Sequence, residues 1–168
     1  SLTVYSHSQA LYDLKIILPY ALNLKDEKVK LVFSPGSGCY GHNGADDAAF
    51  EVSVLAKELP NNHILLKWTR EDEHCWEPYG SASINILTGT INNEGRITYW
   101  SNEVYSDTYL TRPTEKDLNN FVSYKLINDD FSKNRYKPKT VAHMGIHRNL
   151  DPLYEFEDKR LVKNLVHD

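Results

Sequence analysis

Gly36-Ser-Gly-Cys-Tyr-Gly-His-Asn-Gly-Ala-Asp-Asp-Ala-Ala49, preceded by Pro35, is the stretch on which the reading of this chain turns. The apolar run Val29 to Phe33 leads in and an amphipathic pattern, Ala45 to Leu59, leads out, so the stretch joins a strand to a helix. Gly36, Gly38, Gly41 and Gly44 let its backbone take positive φ and approach a ligand closely. The helix beyond it contributes unpaired N–H groups and the positive end of its dipole, which suit a phosphate. Asp46 and Asp47 in the first helical turn answer that same dipole without any ligand.

Outward from the loop, Leu2 to Tyr5 reads as a first strand. Ser6 or Ser8 then caps a helix, Ser8 to Leu22, with Leu11, Leu14, Leu18 and Leu22 at helical spacing. Pro19 is expected to kink this helix or end it near Leu18. The second helix has the predicted core face Ala45, Ala48, Ala49, Val52, Leu55, Ala56 and Leu59, and stops at Pro60. Ile64 to Trp68 alternates as a third strand. Ser83 to Thr90 and Arg96 to Tyr105 flank Asn92-Asn-Glu-Gly95, a hairpin signal, and Arg160 to Val166 is a last strand. Leu118 to Ile127 fits a helix inside an otherwise polar excursion, residues 113–142. The expected fold is α+β, in the order β-α-β-α-β-β-β: a mixed sheet with helices on one face, forming a single domain over residues 1–168.

A chain of 168 residues buries enough surface to fold without staples. Two cysteines, Cys39 and Cys75, make no disulfide framework. A net charge of −4 argues against nonspecific binding to nucleic acid or anionic membranes. No apolar run approaches the length of about 20 residues that spans a bilayer. Compartment is not readable. The chain opens on a strand pattern without an initiator methionine and is expected to be an excerpt of something longer.

Three generic motifs compete on the glycine loop. Gly36-x-Gly38-x-x-Gly41 is a literal dinucleotide fingerprint, but its helix starts late, its candidate acids Glu71 and Asp72 come late, and a hairpin follows where a further βα unit belongs. A phosphate-binding P-loop needs Gly-Lys-Ser or Gly-Lys-Thr, where this chain has Gly41-His42-Asn43. Cys39, His42, His74 and Cys75 lack a usual zinc spacing, so no metal ligand is assigned. Trp68, Trp76 and Tyr79, which bracket the charged run Arg70 to Glu73, read as core anchors before they read as a substrate cage.

Thr3-Val-Tyr-Ser-His-Ser-Gln9, the block Gly38 to Ala49, Trp68-Thr-Arg-Glu-Asp-Glu-His74 with Trp76-Glu-Pro-Tyr-Gly80, and Arg148-Asn149 with Pro152-Leu-Tyr154 resemble the molybdenum hydroxylases. Within that xanthine dehydrogenase and aldehyde oxidase superfamily, they are most similar to the branch that holds nicotinate dehydrogenase and the isoquinoline 1-oxidoreductase beta-subunit. The resemblance runs in order through residues 2–112 and again through 145–168.

It implies a fragment of the molybdopterin-binding region of a large subunit. It also implies a cofactor in which molybdenum is held by a pterin, usually as a cytosine dinucleotide. The reaction so implied is oxidation of an aldehyde or an N-heteroaromatic carbon with oxygen from water, electrons leaving through an iron-sulfur subunit or domain. The cofactor-binding residues carried over are Gln9, Gly38, Cys39, Tyr40, Gly41 and His42. The glutamate base of the family would lie beyond Asp168, so no catalytic residue is assigned, and the isolated chain is expected to be inactive and to bind no cofactor. Where xanthine-type enzymes hold substrate with an acid after Gly-Lys, this chain has His42-Asn43-Gly44-Ala45-Asp46-Asp47, which gives those aspartates no carried-over role. If the first two strands are parallel neighbours, Gln9 and the glycine loop leave one edge of the sheet, with Gln9 within roughly 10 Å of Tyr40-Gly41. The alternative function is a stand-alone nucleotide-binding or regulatory module using the Gly-x-Gly-x-x-Gly loop.

Overall fold

The computed structural model describes residues 1–38, 45–77, 79–107, 112–113, 118, 121–128, 146 and 150–166. The fold is α+β, and the described residues hold two sheets and four α-helices. They group into two compact units: residues 1–79 with 111–132, and residues 80–110 with 133–168.

In the first unit, β1 (Leu2–Ser6) pairs in parallel with β2 (Val29–Phe33), Leu2 opposite Val29 and Ser6 opposite Phe33. Parallel neighbours need a crossover, which α1 (Leu11–Ala21) supplies. Leu14, Ile17 and Leu18 of α1 are buried together with Val4, Leu22 and Val29. Pro19 does not end the helix near Leu18 as expected; α1 runs through it to Ala21. The helix closes three residues later in a Schellman motif. Asn23 takes φ +52° and donates its N–H to Tyr20 O at 3.2 Å, and Leu24 donates to Pro19 O at 2.8 Å.

The second helix, α2 (Ala45–Glu58), spans the expected segment but presents a different face. Its buried residues are Asp46, Asp47, Ala49, Phe50 and Ser53, while Leu55 and Leu59 are exposed. Hydropathy alone places Leu55 and Leu59 inward. The observed stripe 46, 49, 50, 53 keeps helical periodicity, and its polar members find partners: Ser53 Oγ donates to Ala49 O at 2.5 Å. Phe50 stacks on Phe121 with centroids 4.7 Å apart and meets Tyr124 edge-on at 5.9 Å. Tyr124 belongs to α4 (Val122–Ile127), which lies inside the helix expected over 118–127.

The expected third strand is absent. Residues 63–69 have no regular structure, yet Ile64, Leu66 and Trp68 are half-buried and Leu65 and Lys67 exposed, so the alternation survives without a ladder. Instead of strand pairing, Trp68 Nε1 donates to Glu51 Oε2 on α2 at 2.8 Å. The charged run that follows forms α3 (Arg70–Trp76), held by a capping box in which Thr69 Oγ1 accepts from Asp72 N and the Asp72 carboxylate accepts from Thr69 N.

The second unit carries a separate sheet instead of an extension of the first. Here β3 (Ser83–Ile91) and β4 (Ile97–Ser106) form the expected antiparallel hairpin, and β5 (Asp158–Leu165) adds in parallel to β4. Asn92 Oδ1 accepts from Glu94 N and Arg96 N, and Gly95 takes φ +80° to close the turn. Trp100 stacks on Phe156 at 5.3 Å, and Asn102 Nδ2 donates to Leu150 O at 3.0 Å. Most of the excursion 113–142 lies outside the described residues.

Truncating Phe50, fully buried in the aromatic cluster of the first unit, leaves a cavity flanked by two rings. Phe50→Ala is expected to lower unfolding free energy by about 3–5 kcal/mol. Urea titration followed by far-UV circular dichroism checks this, whereas Leu55→Ala, on the exposed side of α2, is expected to change it by under about 1 kcal/mol.

Candidate functional site

Because β1 and β2 run in parallel, the chain leaves both strands on one edge. The two exits are joined there. Ser34 N donates to Ser6 O at 3.0 Å, extending the pairing one step past the strands. A Cβ placed on Gly36 would lie 2.6 Å from His7 Cβ and 2.7 Å from its Cγ, so glycine at 36 is what lets the second exit pass against the first.

Ser8 then turns inward. Its N–H donates to Ser6 Oγ at 3.1 Å, its own Oγ accepts from Ala10 N at 3.0 Å, and its hydroxyl donates to Asp46 Oδ1. Neither Ser6 nor Ser8 caps α1 as expected: the helix starts at Leu11 with Ala10 at its cap position and no side-chain cap, and the Ser8 hydroxyl is spent on α2. The other Asp46 oxygen pairs with Arg112 Nη1, with the carboxylate buried and the guanidinium mostly so. Asp47, equally buried, accepts the first N–H of α4, Val122 N, at 3.1 Å. A carboxylate at a helix N-terminus satisfies an otherwise orphaned donor and the dipole together.

Of the residues expected to bind a cofactor, Gln9 and Gly38 are described. Both are exposed on the edge where β1 and β2 end. Cys39, Tyr40, Gly41 and His42 lie outside the described residues, and with them the separation between Gln9 and Tyr40-Gly41. The residues that hold this edge together, His7, Ser8, Gly36 and Arg112, are not singled out by sequence as a group. Asp46 and Asp47 are, as partners of the helix dipole, and nothing in the pattern marks them as buried. The one usable signal is their position immediately after a glycine loop, where an acid in the first turn is close to whatever the loop packs against.

Burial is the main force on Asp47, pushing its carboxyl up to about 7 from an ordinary 3.8. The Val122 N–H opposes the rise, while the neighbouring charges of Asp46 and Glu51 add to it. No described helix is long and apolar enough to cross a membrane. Among the described residues, no group of three or more His, Cys, Asp or Glu is placed to hold a metal ion.

Over 94 residues the chain is 30% identical to a nicotinate dehydrogenase subunit of Pseudomonas putida. The aligned stretch is 56% of this chain and 8% of that protein, so the chain spans less than a tenth of its relative. No family model matches, and no solved structure does. The chain is similar to part of a dehydrogenase subunit.

The buried aspartates lead to two expected outcomes. The folded state holds the Asp47 proton more tightly than the unfolded state does. Its contribution to stability is therefore fully present below about 3.8 and is lost as pH rises through about 7. The gap corresponds to roughly 4 kcal/mol. Asp47→Asn keeps an acceptor for Val122 N without the charge. Its stability is expected to exceed that of the parent at pH 8 and to match it near pH 4, as urea midpoints across that range will read. Arg112→Ala strands the buried Asp46 carboxylate, with an expected loss of about 3–5 kcal/mol that Asp46→Asn in the same chain partly restores.

Proposed function

We propose that this chain is part of the large subunit of a molybdenum-dependent hydroxylase or dehydrogenase, in the branch that holds nicotinate dehydrogenase and the isoquinoline 1-oxidoreductase beta-subunit. The observation that carries the reading is the ordered set of motifs from Thr3 to Tyr154, supported by 30% identity over 94 residues to a nicotinate dehydrogenase subunit. The substrate class is an aldehyde or an N-heteroaromatic compound, and the partners are the remainder of the large subunit and an iron-sulfur subunit or domain. When bound, a molybdenum pterin cofactor, in this branch as the cytosine dinucleotide, supplies the two-electron oxidation, while the protein supplies positioning and electrostatics.

The described residues fit such a group. The strand exits leave one edge of the sheet, and Gln9 and Gly38 are exposed there. In this reading Gln9 donates or accepts a hydrogen bond at the cofactor, and Gly38, Cys39, Tyr40, Gly41 and His42 present backbone donors to it. Asp46 and Asp47 take no part in binding substrate, because their carboxylates are spent on Ser8, Arg112 and Val122.

The alternative, a stand-alone nucleotide-binding module, draws on the same glycines. Against it, no third strand joins β1 and β2 among the described residues, and the next strands form the hairpin β3–β4 of a separate sheet, where the dinucleotide fold needs a further βα unit.

The reading is tested on the complete polypeptide that encloses this sequence, purified with its partner subunits. Plasma mass spectrometry is expected to find molybdenum near one atom per large subunit. Gln9→Ala is expected to lower kcat/KM at least tenfold, about 1.4 kcal/mol, with the protein still folded. The 168-residue chain alone is expected to bind neither the cofactor nor NAD with a Kd below about 1 μM, since half a site does not cover the entropy of association. A metal-free full-length protein that binds NAD at that level overturns the proposal in favour of the module.

A further inference from the structure

In the second unit the sheet order among the described residues is β3-β4-β5, which leaves β3 and β5 as its edges. The two edges differ in kind. β5 carries Asp158, Lys159, Arg160 and Lys163, charges of the sort that keep an open edge from pairing with a further strand. β3, Ser-Ile-Asn-Ile-Leu-Thr-Gly-Thr-Ile from Ser83 to Ile91, carries no charge and no proline. The register irregularity between Thr90 and Ile91 lies at the turn end and leaves Ser83 to Thr90 in regular register.

Three hydrogen bonds fix which backbone groups of β3 face outwards. Ala82 O accepts from Ser106 Oγ, Thr90 O accepts from Thr98 Oγ1, and Asn92 N donates to Arg96 O, all on the β4 side. Successive residues of a strand point these groups to opposite sides, so Asn85, Leu87 and Gly89 turn their N–H and C=O away from β4. Side chains alternate as well, Ile84 and Ile86 on one face and Leu87 and Ile91 on the other. Each of those four is at least 52% exposed. A strand that is apolar on both faces has the pattern of an interior strand, covered above and below.

We propose that β3 is an interior strand of a larger sheet, completed by an extended segment from the part of the large subunit that lies outside this sequence, which pairs with the open edge and brings the layers that cover both faces. The proposal rests on the reading of this chain as part of a large subunit, and it adds the surface and the mode of docking. The stretch aligned with the nicotinate dehydrogenase subunit is 8% of that protein, so such a subunit has ample chain to supply the segment. A second copy is the poorer occupant. Joined β3 to β3, it supplies backbone hydrogen bonds but brings the same bare faces, so the isoleucines and Leu87 stay in water. The incoming segment is uncharged where it lies beside Ile84, Ile86 and Leu87, because a charge there loses water without gaining a partner.

Hydrogen exchange resolved to single amides is measured on the complete polypeptide that encloses this sequence and on the 168-residue chain. The outward amides of Asn85, Leu87 and Gly89 are expected to exchange at least about a hundredfold more slowly in the complete polypeptide. Equal rates overturn the proposal. Protection of these amides in the 168-residue chain overturns it too, with sedimentation then separating cover by a second copy from cover by the chain's own residues. Leu87→Pro removes an outward N–H and no bond to β4. It is expected to leave the Ile84, Ile86 and Thr88 amides of the short chain protected, and to abolish the protection of Asn85 and Gly89 in the complete polypeptide. Protection that survives there overturns the proposal. The molybdenum content of the same preparation separates this proposal from the reading beneath it. A metal-free polypeptide with a protected β3 edge overturns the molybdenum reading alone, and a molybdenum-loaded one with equal rates overturns the larger sheet alone.

Discussion

Two adjacent carboxylates at the start of α2 organise the first unit. Asp46 receives the Ser8 hydroxyl from the exit of β1 and the guanidinium of Arg112, and Asp47 receives the leading N–H of α4. Buried carboxyl groups need partners, and here each finds one in a distant part of the chain. The arrangement therefore acts as a junction: β1, α2, α4 and Arg112 lose partners together if it opens. The cost is visible in Asp47, whose single strong donor does not offset burial next to a second carboxylate.

That junction also sets the geometry of the strand edge. With Ser8 drawn inward to α2, the chain turns sharply after β1, and Gln9 is left exposed while His7 packs against Gly36. The parallel pairing of β1 with β2 brings the exits to one side, and the Ser8–Asp46 contact ties that side to the helix following the glycine loop.

Local pattern reports some of this faithfully. The strands Leu2–Ser6, Val29–Phe33 and Asp158–Leu165 and the hairpin around Asn92 to Gly95 follow from period-two alternation and turn chemistry, both carried by neighbouring residues. Ile64 to Trp68 shows where that signal stops. Alternation says that one side of an extended segment is covered; it does not say that a strand lies beside it. Here the cover comes from helical side chains, and the indole of Trp68 finds Glu51 in place of a backbone partner. The division into two sheets is hidden for the same reason, since pairing depends on residues far apart in sequence.

Periodicity, capping residues and glycine placement belong to the chain itself. They settle that α1 crosses between two strands and that a glycine loop leads into α2, whereas the helix α3 is hidden in what reads as a charged connection. Which side of α2 faces inward is another matter, because it depends on what is there to meet it. Leu55 and Leu59 have the greater hydropathy, yet Asp46, Asp47 and Ser53 are buried, since Ser8, Arg112, Val122 and a helical carbonyl provide hydrogen bonds that exist only once the distant segments have come together. A carboxylate's preference for water is a property of the residue, but its burial is a property of its partners.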